Sequence, residues 1–383
     1  MPSFQFRLPI RDDLTNLQKI AIDDDSAIFL TGVPGSGKTV VAIYRVVRLN
    51  NTSKLFTYTR MLTVAIKNST NMLQRDAATK VSSIYEWFWE KCSTLLSEII
   101  HDEEKITNCL RTNNINFEEL IFDESQDLPI YLYNSLSKFC NKISLGADDA
   151  QLVFENGCTE KELSNVFNKH HPHELDQNHR NTYEIFNFAS NIITENERAQ
   201  NPNMLERLKR KRRGDKPLLI LHRNNQDIKE TFKQIIIDNI GGNIGILLAH
   251  RDNVKSYYNF INNDISILIN PKNRLDCSYY YNKMPRDERN AVENDLKNIL
   301  ITTFKSAKGM EFDTVIIPEF QMIDNELKKQ FFVGCTRARS NLFLFCKEGL
   351  PSLINKSSFN DTYTLQDNRS NLNTSSVEDD LPF

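Results

Sequence analysis

The run Thr31-Gly32-Val33-Pro34-Gly35-Ser36-Gly37-Lys38-Thr39 follows the apolar stretch AIFL at 27–30 and matches G-x-x-x-x-G-K-[ST] in full. Glycines at 32, 35 and 37 let successive backbone N–H groups converge on phosphates without Cβ clashes. Val40, Ile43 and Val47 then recur at helical spacing, so the loop opens a helix whose positive end faces the phosphates. Strand, glycine loop and helix in this order commit the chain to a sheet covered by helices. Lys38 is expected to reach the β- and γ-phosphates of ATP, and Thr39 to hold Mg²⁺.

Further short β-rich runs alternate with helical patterns: KLFTYT at 54–59, ELIFDE at 119–124 and KISLGAD at 142–148. A second series follows at PLLILH (217–222), IGILLAH (244–250), NILITTF (298–304), TVIIP (314–318) and NLFLF (341–345). The alternation predicts an α/β fold with parallel sheets. Its 383 residues suffice for two cores. The expected division is 1–175, with a small helical insertion near 75–115, then 176–350, then a tail. The tail, 351–383, is rich in Asn, Ser, Thr and Asp, and is predicted to be disordered.

No stretch approaches the apolar length of a membrane span, and the first residues lack the pattern of a secretory signal, so a cytoplasmic protein without a membrane partner is expected. Seven scattered cysteines without a Cys-x-x-Cys pair are expected to be reduced. The net charge of −3 excludes a globally basic nucleic-acid binder, so phosphate binding has to be local. The densest positive run is Arg207, Lys209, Arg210, Lys211, Arg212, Arg213 and Lys216, which suits either a phosphate backbone or a solvated loop.

A second carboxylate site belongs at the end of a neighbouring strand, and ELIFDESQD supplies it. Asp123 is the expected metal ligand, and Glu124 the base that orients and deprotonates the attacking water.

Further elements in one order make residues 14–346 resemble the UvrD/Rep-like superfamily 1 helicases. LTNLQKIAI resembles the family's Q motif, which implies that Gln18 reads adenine. TYTRMLTVAIK resembles its strand-gripping element, implicating Thr57, Tyr58 and Arg60. DESQD resembles the DExQD motif, and GADDAQ the sensor in which Gln151 monitors the γ-phosphate. LDQNHRNT resembles LEQNYRST, so Arg180 becomes a phosphate-contacting arginine and His179 replaces a tyrosine that stacks on adenine. TTFKSAKGMEF resembles TLHSAKGLEF, with Glu311 near the ribose and Thr303 and Lys308 towards the strand; VGCTRA makes Arg337 the second arginine. The resemblance implies two RecA-like P-loop domains with ATP in the cleft between them, and a 3′ to 5′ translocase or helicase acting on single-stranded DNA in replication, repair or recombination. ATP and Mg²⁺ are the cofactors it implies.

Two departures bear on coupling. Little chain is left for the large inserted subdomains of bigger relatives, and the tryptophan that follows the sensor is absent, leaving Phe154 beside Tyr58 for base stacking. Both suit a second reading, an ATP-driven switch that controls a partner nuclease or repair factor, as in phage defence. An RNA track is equally compatible with the residues. Finally, Asp379, Asp380, Leu381, Pro382 and Phe383 resemble the tip of bacterial single-stranded DNA-binding protein. That implies docking onto proteins that read such a tip, or onto a basic channel of this same chain.

Overall fold

The computed structural model describes residues 3–4, 6–50, 52–154, 156–167, 170–193, 204–269, 275–324 and 327–369. These residues divide into two compact units.

The first unit spans residues 6–179. Its strands are β1 (Ile28–Gly32), β2 (Lys54–Thr57), β3 (Val81–Ser83), β4 (Phe117–Phe122), β5 (Cys140–Gly146) and β6 (His171–Leu175), which form one sheet in the order β3-β2-β4-β5-β1-β6. Every pairing is parallel, so each neighbour is reached by a crossover. Helix α1 (Asn16–Asp23) precedes β1, and the crossovers contain α2 (Lys38–Arg48), α3 (Arg60–Leu73), α4 (Ile84–Cys92), α5 (Leu96–Ile99), α6 (Glu103–Thr112), α7 (Ile130–Leu136) and α8 (Glu160–Val166).

Alternation along the strands serves two cores. Phe29, Phe56 and Phe122 pack with Trp87 and Phe88 of α4, whereas Ile28 and Leu30 face Val41 of α2. Helix α2 carries a fully buried Arg45, whose Nε meets Glu119 Oε1 at 2.6 Å while its other nitrogens donate to the carbonyls of Ala21, Asp24 and Ser26. The pair locks the helix behind the phosphate loop to the strand that ends in the two acids.

The second unit holds residues 3–4, 180–193 and 205–369. Strands β7 (Leu218–His222), β8 (Ile244–Leu248), β9 (Ser278–Tyr280), β10 (Ile299–Thr303), β11 (Phe312–Ile317), β12 (Ala338–Lys347) and β13 (Thr364–Asp367) follow the order β13-β7-β12-β11-β8-β10-β9, again all parallel. Its helices are α9 (Tyr183–Ser190), α10 (Met204–Lys211), α11 (Asn225–Asn239), α12 (Val254–Asn259), α13 (Ser266–Ile269), α14 (Arg286–Asn294) and α15 (Lys328–Cys335). Ile220, Phe232, Ile246, Ile301 and Phe345 lie at its centre.

Three expectations are corrected. The boundary falls after His179 rather than after Leu175, because His179 N donates to Gly35 O at 2.8 Å and ties the segment to the phosphate loop. At the other end, Ser3 and Phe4 belong with the second unit: Ser3 bridges Lys297, and Phe4 is buried edge-on to Phe312 at 5.6 Å.

The tail is not disordered from 351. Ile354 and Phe359 are buried, and β13 pairs with β7, so a polar run with two apolar anchors completes a sheet edge. Residues 370–383, with Asp379 to Phe383, lie outside the described residues.

Nor are all seven cysteines reduced: Cys92 at the end of α4 and Cys109 on α6 form a disulfide, with Cα atoms 5.9 Å apart. A separation of 17 residues hid this pair, which the turn of the chain through α5 brings together. Among the described residues no helix is long and apolar enough to cross a membrane.

Candidate functional site

The phosphate loop is built by two close approaches. Gly32 has φ 144°, and a Cβ there would come within 2.3 Å of Leu175 O on β6. Gly37 has φ 94°, and a Cβ there would strike Gln18 Nε2 at 2.3 Å. A side chain at either position breaks the loop. Gly35 shares the left-handed backbone at φ 74°.

Gln18 is the brace beneath. Its Oε1 accepts from Thr15 N at 2.9 Å in a capping box at the start of α1, and its Nε2 donates to Ser36 O at 2.9 Å. The amide expected to read adenine is thus spent, in this structure, on holding the loop. His179 also joins the loop, through the backbone, and its side chain is exposed.

Lys38 is buried, and its ammonium donates to Gly32 O at 2.6 Å, to Val33 O at 3.2 Å and to Asp148 Oδ2 at 3.3 Å. Thr39 Oγ1 donates to Asp123 Oδ2 at 2.7 Å. Burial, then the adjacent Glu124 charge, push the Asp123 carboxyl above the ordinary carboxylate range, against the Thr39 hydrogen bond and the Lys38 charge. Glu124 sits in the left-handed region at φ 55°, which turns the chain sharply after β4.

Gln126 then connects the two acidic motifs. Its Nε2 donates to Glu124 Oε2 at 2.6 Å, and its Oε1 accepts from Asp148 N at 3.1 Å. Gln151 Nε2 closes the chain on Asp148 Oδ2 at 2.6 Å. One buried network therefore runs from Glu124 through Gln126 and Asp148 to the sensor glutamine, with Lys38 joined to it at Asp148 and the Thr39–Asp123 pair beside it. Gln126 lay inside the DESQD match, but a neutral amide there gave no chemical signal by itself.

These residues fit a magnesium nucleotide. The Ser36 hydroxyl is buried inside the loop and has no hydrogen-bond partner among the described residues. The hydroxyl of Thr39 beside the carboxylate of Asp123 is a hard-oxygen pair of the kind Mg²⁺ takes while keeping several waters. A site so built needs no denser ligand cluster, and none of three or more His, Cys, Asp or Glu occurs among the described residues.

The second unit gathers its own motif residues. Arg180 Nε meets Glu311 Oε1 at 2.8 Å, and Arg339 NH1 meets Glu311 Oε2 at 2.8 Å. Burial opposes ionisation of Glu311, yet the charges of Arg180 and Arg339 outweigh it and hold its carboxyl at about 2. Arg337 is fully buried, with Nε donating to Val333 O at 3.0 Å. Asn181 fixes the same turn through the carbonyls of Thr336 and Ala338. Arg339 and Asn181 were not anticipated. An Arg two residues past Arg337 was the available clue.

For the strand-contacting candidates the outcome is mixed. Tyr58 and Phe154 stand 4.4 Å apart at 42°, with Tyr85 edge-on to Tyr58 at 5.6 Å, so the fold assembles an aromatic cluster from separate loops. Thr57 and Thr303 are buried and spend their hydroxyls locally, on Thr63 at 2.6 Å and on Ser306 at 3.0 Å. Arg60 pairs with Glu86 at 3.3 Å, and Lys308 is buried.

Comparison with known proteins gives three likenesses. Residues 248–349 match the UvrD-like helicase C-terminal domain. A stretch of 85 residues is 32% identical to the RecBCD enzyme subunit RecB of Chlamydia pneumoniae, covering 21% of this chain and 8% of that protein. The chain thus spans a small fraction of that relative's length. The solved structure of a Dbp5 variant of S. cerevisiae bound to RNA and ADP BeF3 is similar at a TM-score of 0.55 and 11% identity, over 92% of this chain and 90% of that one. At that identity the likeness shows the fold alone, a pair of RecA-like parallel-sheet α/β units.

Proposed function

We propose that the chain is an ATP-dependent translocase or helicase that moves 3′ to 5′ along single-stranded DNA in replication, repair or recombination. The observation that carries this reading is the buried contact of Lys38 with Asp148, which also holds Gln151 and, through Gln126, Glu124. It couples a phosphate loop to a sensor, which an ATPase needs if hydrolysis is to be felt elsewhere.

In this reading Lys38 and the loop amides bind the β- and γ-phosphates, and Thr39 and Asp123 hold Mg²⁺, which when bound neutralises phosphate charge. Glu124, oriented by Gln126, takes the proton of the attacking water. Gln151 reports the γ-phosphate state to Asp148. Arg180 and Arg337 serve as the phosphate-contacting arginines; such groups contribute on the order of 10³ to 10⁵ in rate. Glu311 keeps Arg180 aligned until phosphate competes for it, and Tyr58 with Phe154 offers bases a stacking surface.

The test measures ATP turnover with single-stranded DNA, duplex DNA and RNA, for the wild type and Lys38→Ala. Single-stranded DNA should stimulate the wild type, and the variant should be inactive. Turnover indifferent to single-stranded DNA overturns the reading. A second reading, an ATP-driven switch that controls a partner nuclease or repair factor, is favoured by the short stretch between β3 and β4, which holds the three helices α4, α5 and α6. Strand displacement separates the two, because a switch hydrolyses ATP without unwinding.

A further inference from the structure

The basic run from Arg207 on α10 to Lys216 before β7 has no role in the network above. In the structure it forms one wall of a groove of about 730 Å³ in the second unit, lined by Tyr183, Lys209, Arg213 and Lys216 and closed opposite by the segment from Asn360 to Thr364. Lys209 and Arg213 flank the Tyr183 ring at 5.8 and 5.1 Å. Arg213 is anchored, with Nε on Glu184 Oε1 at 2.5 Å. Lys209 and Lys216 are exposed, and among the described residues neither has an ion-pair partner. Seven cations stand between residues 204 and 216 against Glu206 and Asp215, in a chain whose net charge is −3. Such a concentration calls for an anionic occupant.

Two features select the occupant. Lys216 leads into the start of β7, where Leu218 pairs with Thr364, so the groove lies at the edge where strands begin. Thr303, a candidate for strand contact, closes β10 at the opposite edge. A nucleic acid lying on the Thr303 loop would not cross this groove. The lining is also mixed, because Glu184, Asp215 and Asp361 share it. Glu184 is already held by Arg213 and by Gly214 N, so the few cations left over suit a short segment with three acids better than a continuous phosphate backbone.

We propose that the groove is the docking site of the chain's own acidic segment Glu378 to Phe383, with Lys209 and Lys216 receiving Glu378, Asp379 and Asp380. Residues 370–383 carry three acids and no base. The described chain leaves from Arg369, just past β13, whose first residue lines the groove. From Arg369 to Glu378 an extended chain spans about 30 Å at ~3.3 Å per residue, about twice the length of β13 that it has to retrace. A short tether of this kind holds its end at an effective concentration of about millimolar, enough for weak ionic contacts. Leu365 on β13 is 51% exposed and offers an apolar neighbour for Leu381 or Phe383. The docked segment sits against α9, whose first residue, Tyr183, follows Arg180 by three positions. The inference goes beyond the motor reading and does not depend on it.

Carbodiimide coupling of the full chain, followed by peptide mass spectrometry, tests the proposal. Links within one molecule from Lys209 or Lys216 to Glu378, Asp379 or Asp380 are expected at low salt, and their loss at about 0.5 M salt, where charges are screened within about 5 Å. In the E378Q/D379N/D380N chain, acetylation of Lys209 and Lys216 should speed up several-fold. Tail links only to other lysines, links only between molecules, or unchanged acetylation rates overturn the proposal. So does protection of both lysines by a single-stranded oligonucleotide where no tail link forms, which would assign the groove to nucleic acid.

Discussion

Gln126 holds Glu124 and Asp148 in one grip, donating to Glu124 Oε2 at 2.6 Å and accepting from Asp148 N at 3.1 Å. The expected base and the expected sensor segment therefore share a single amide. Gln126→Ala should lower kcat for ATP about 10- to 100-fold, the usual cost of removing an orienting partner. Nucleotide affinity should change far less, because no loop contact is lost. Steady-state turnover beside equilibrium nucleotide binding checks this, and an equal loss in both would show that Gln126 shapes the pocket rather than orients the base.

The hydroxyl of Thr39, 2.7 Å from Asp123, is the one non-acidic group in the expected metal site. Thr39→Ala should raise the Mg²⁺ concentration for half-maximal turnover about tenfold or more, while Thr39→Ser, which keeps the oxygen, stays near wild type. A magnesium titration of ATPase activity decides it. Equal behaviour of the two variants would remove Thr39 from the metal site.

Tyr58 and Phe154 are in tilted contact at 4.4 Å, so they should act as one surface. Tyr58→Ala and Phe154→Ala should each weaken single-stranded DNA by about 1–3 kcal/mol, with the double variant well short of the sum. Binding isotherms at constant salt measure the cycle. Two negligible single effects would mean that the cluster is only core.

Glu319, buried at the end of the turn after β11, has Oε1 on Asn253 and an Oε2 without a partner among the described residues. Burial pushes its carboxyl up to about 7 from an unfolded value of 4.5. The folded chain therefore keeps a proton that the unfolded chain has released. The resulting stability is greatest below about 4.5, falls as pH rises towards 7, and is then fully lost. Glu319→Gln should flatten this slope and leave the protein more stable than wild type at pH 8, by on the order of 2–3 kcal/mol. Urea unfolding at a series of pH values tests it. An unchanged slope would place the titration elsewhere.

Nine of the strands were legible as apolar runs, and the four that were not, β3, β6, β9 and β13, are the edges of the two sheets. The reason is burial. A central parallel strand is covered on both faces and reads as a continuous apolar run, whereas an edge strand such as HPHEL in β6 or TLQD in β13 packs on one side and stays polar. The same logic misplaced the tail, since TLQD adds its pairing through the backbone, which leaves no mark in side-chain pattern.

The sequence by itself determined the phosphate loop, the acids after β4, the order of the motifs and the two parallel sheets. Each of these is a local matter of residue type and spacing, and local chemistry is written in order along the chain. Only the tertiary structure decided that Gln18 props Ser36, that Gln126 joins Glu124 to Asp148, that Arg339 shares Glu311 with Arg180, that Cys92 meets Cys109, and that the basic run faces Tyr183 across a groove. These are contacts between residues distant in sequence or turned by backbone geometry. A side chain's partner is set by where the sheet and its crossovers bring the chain back, and no spacing records that.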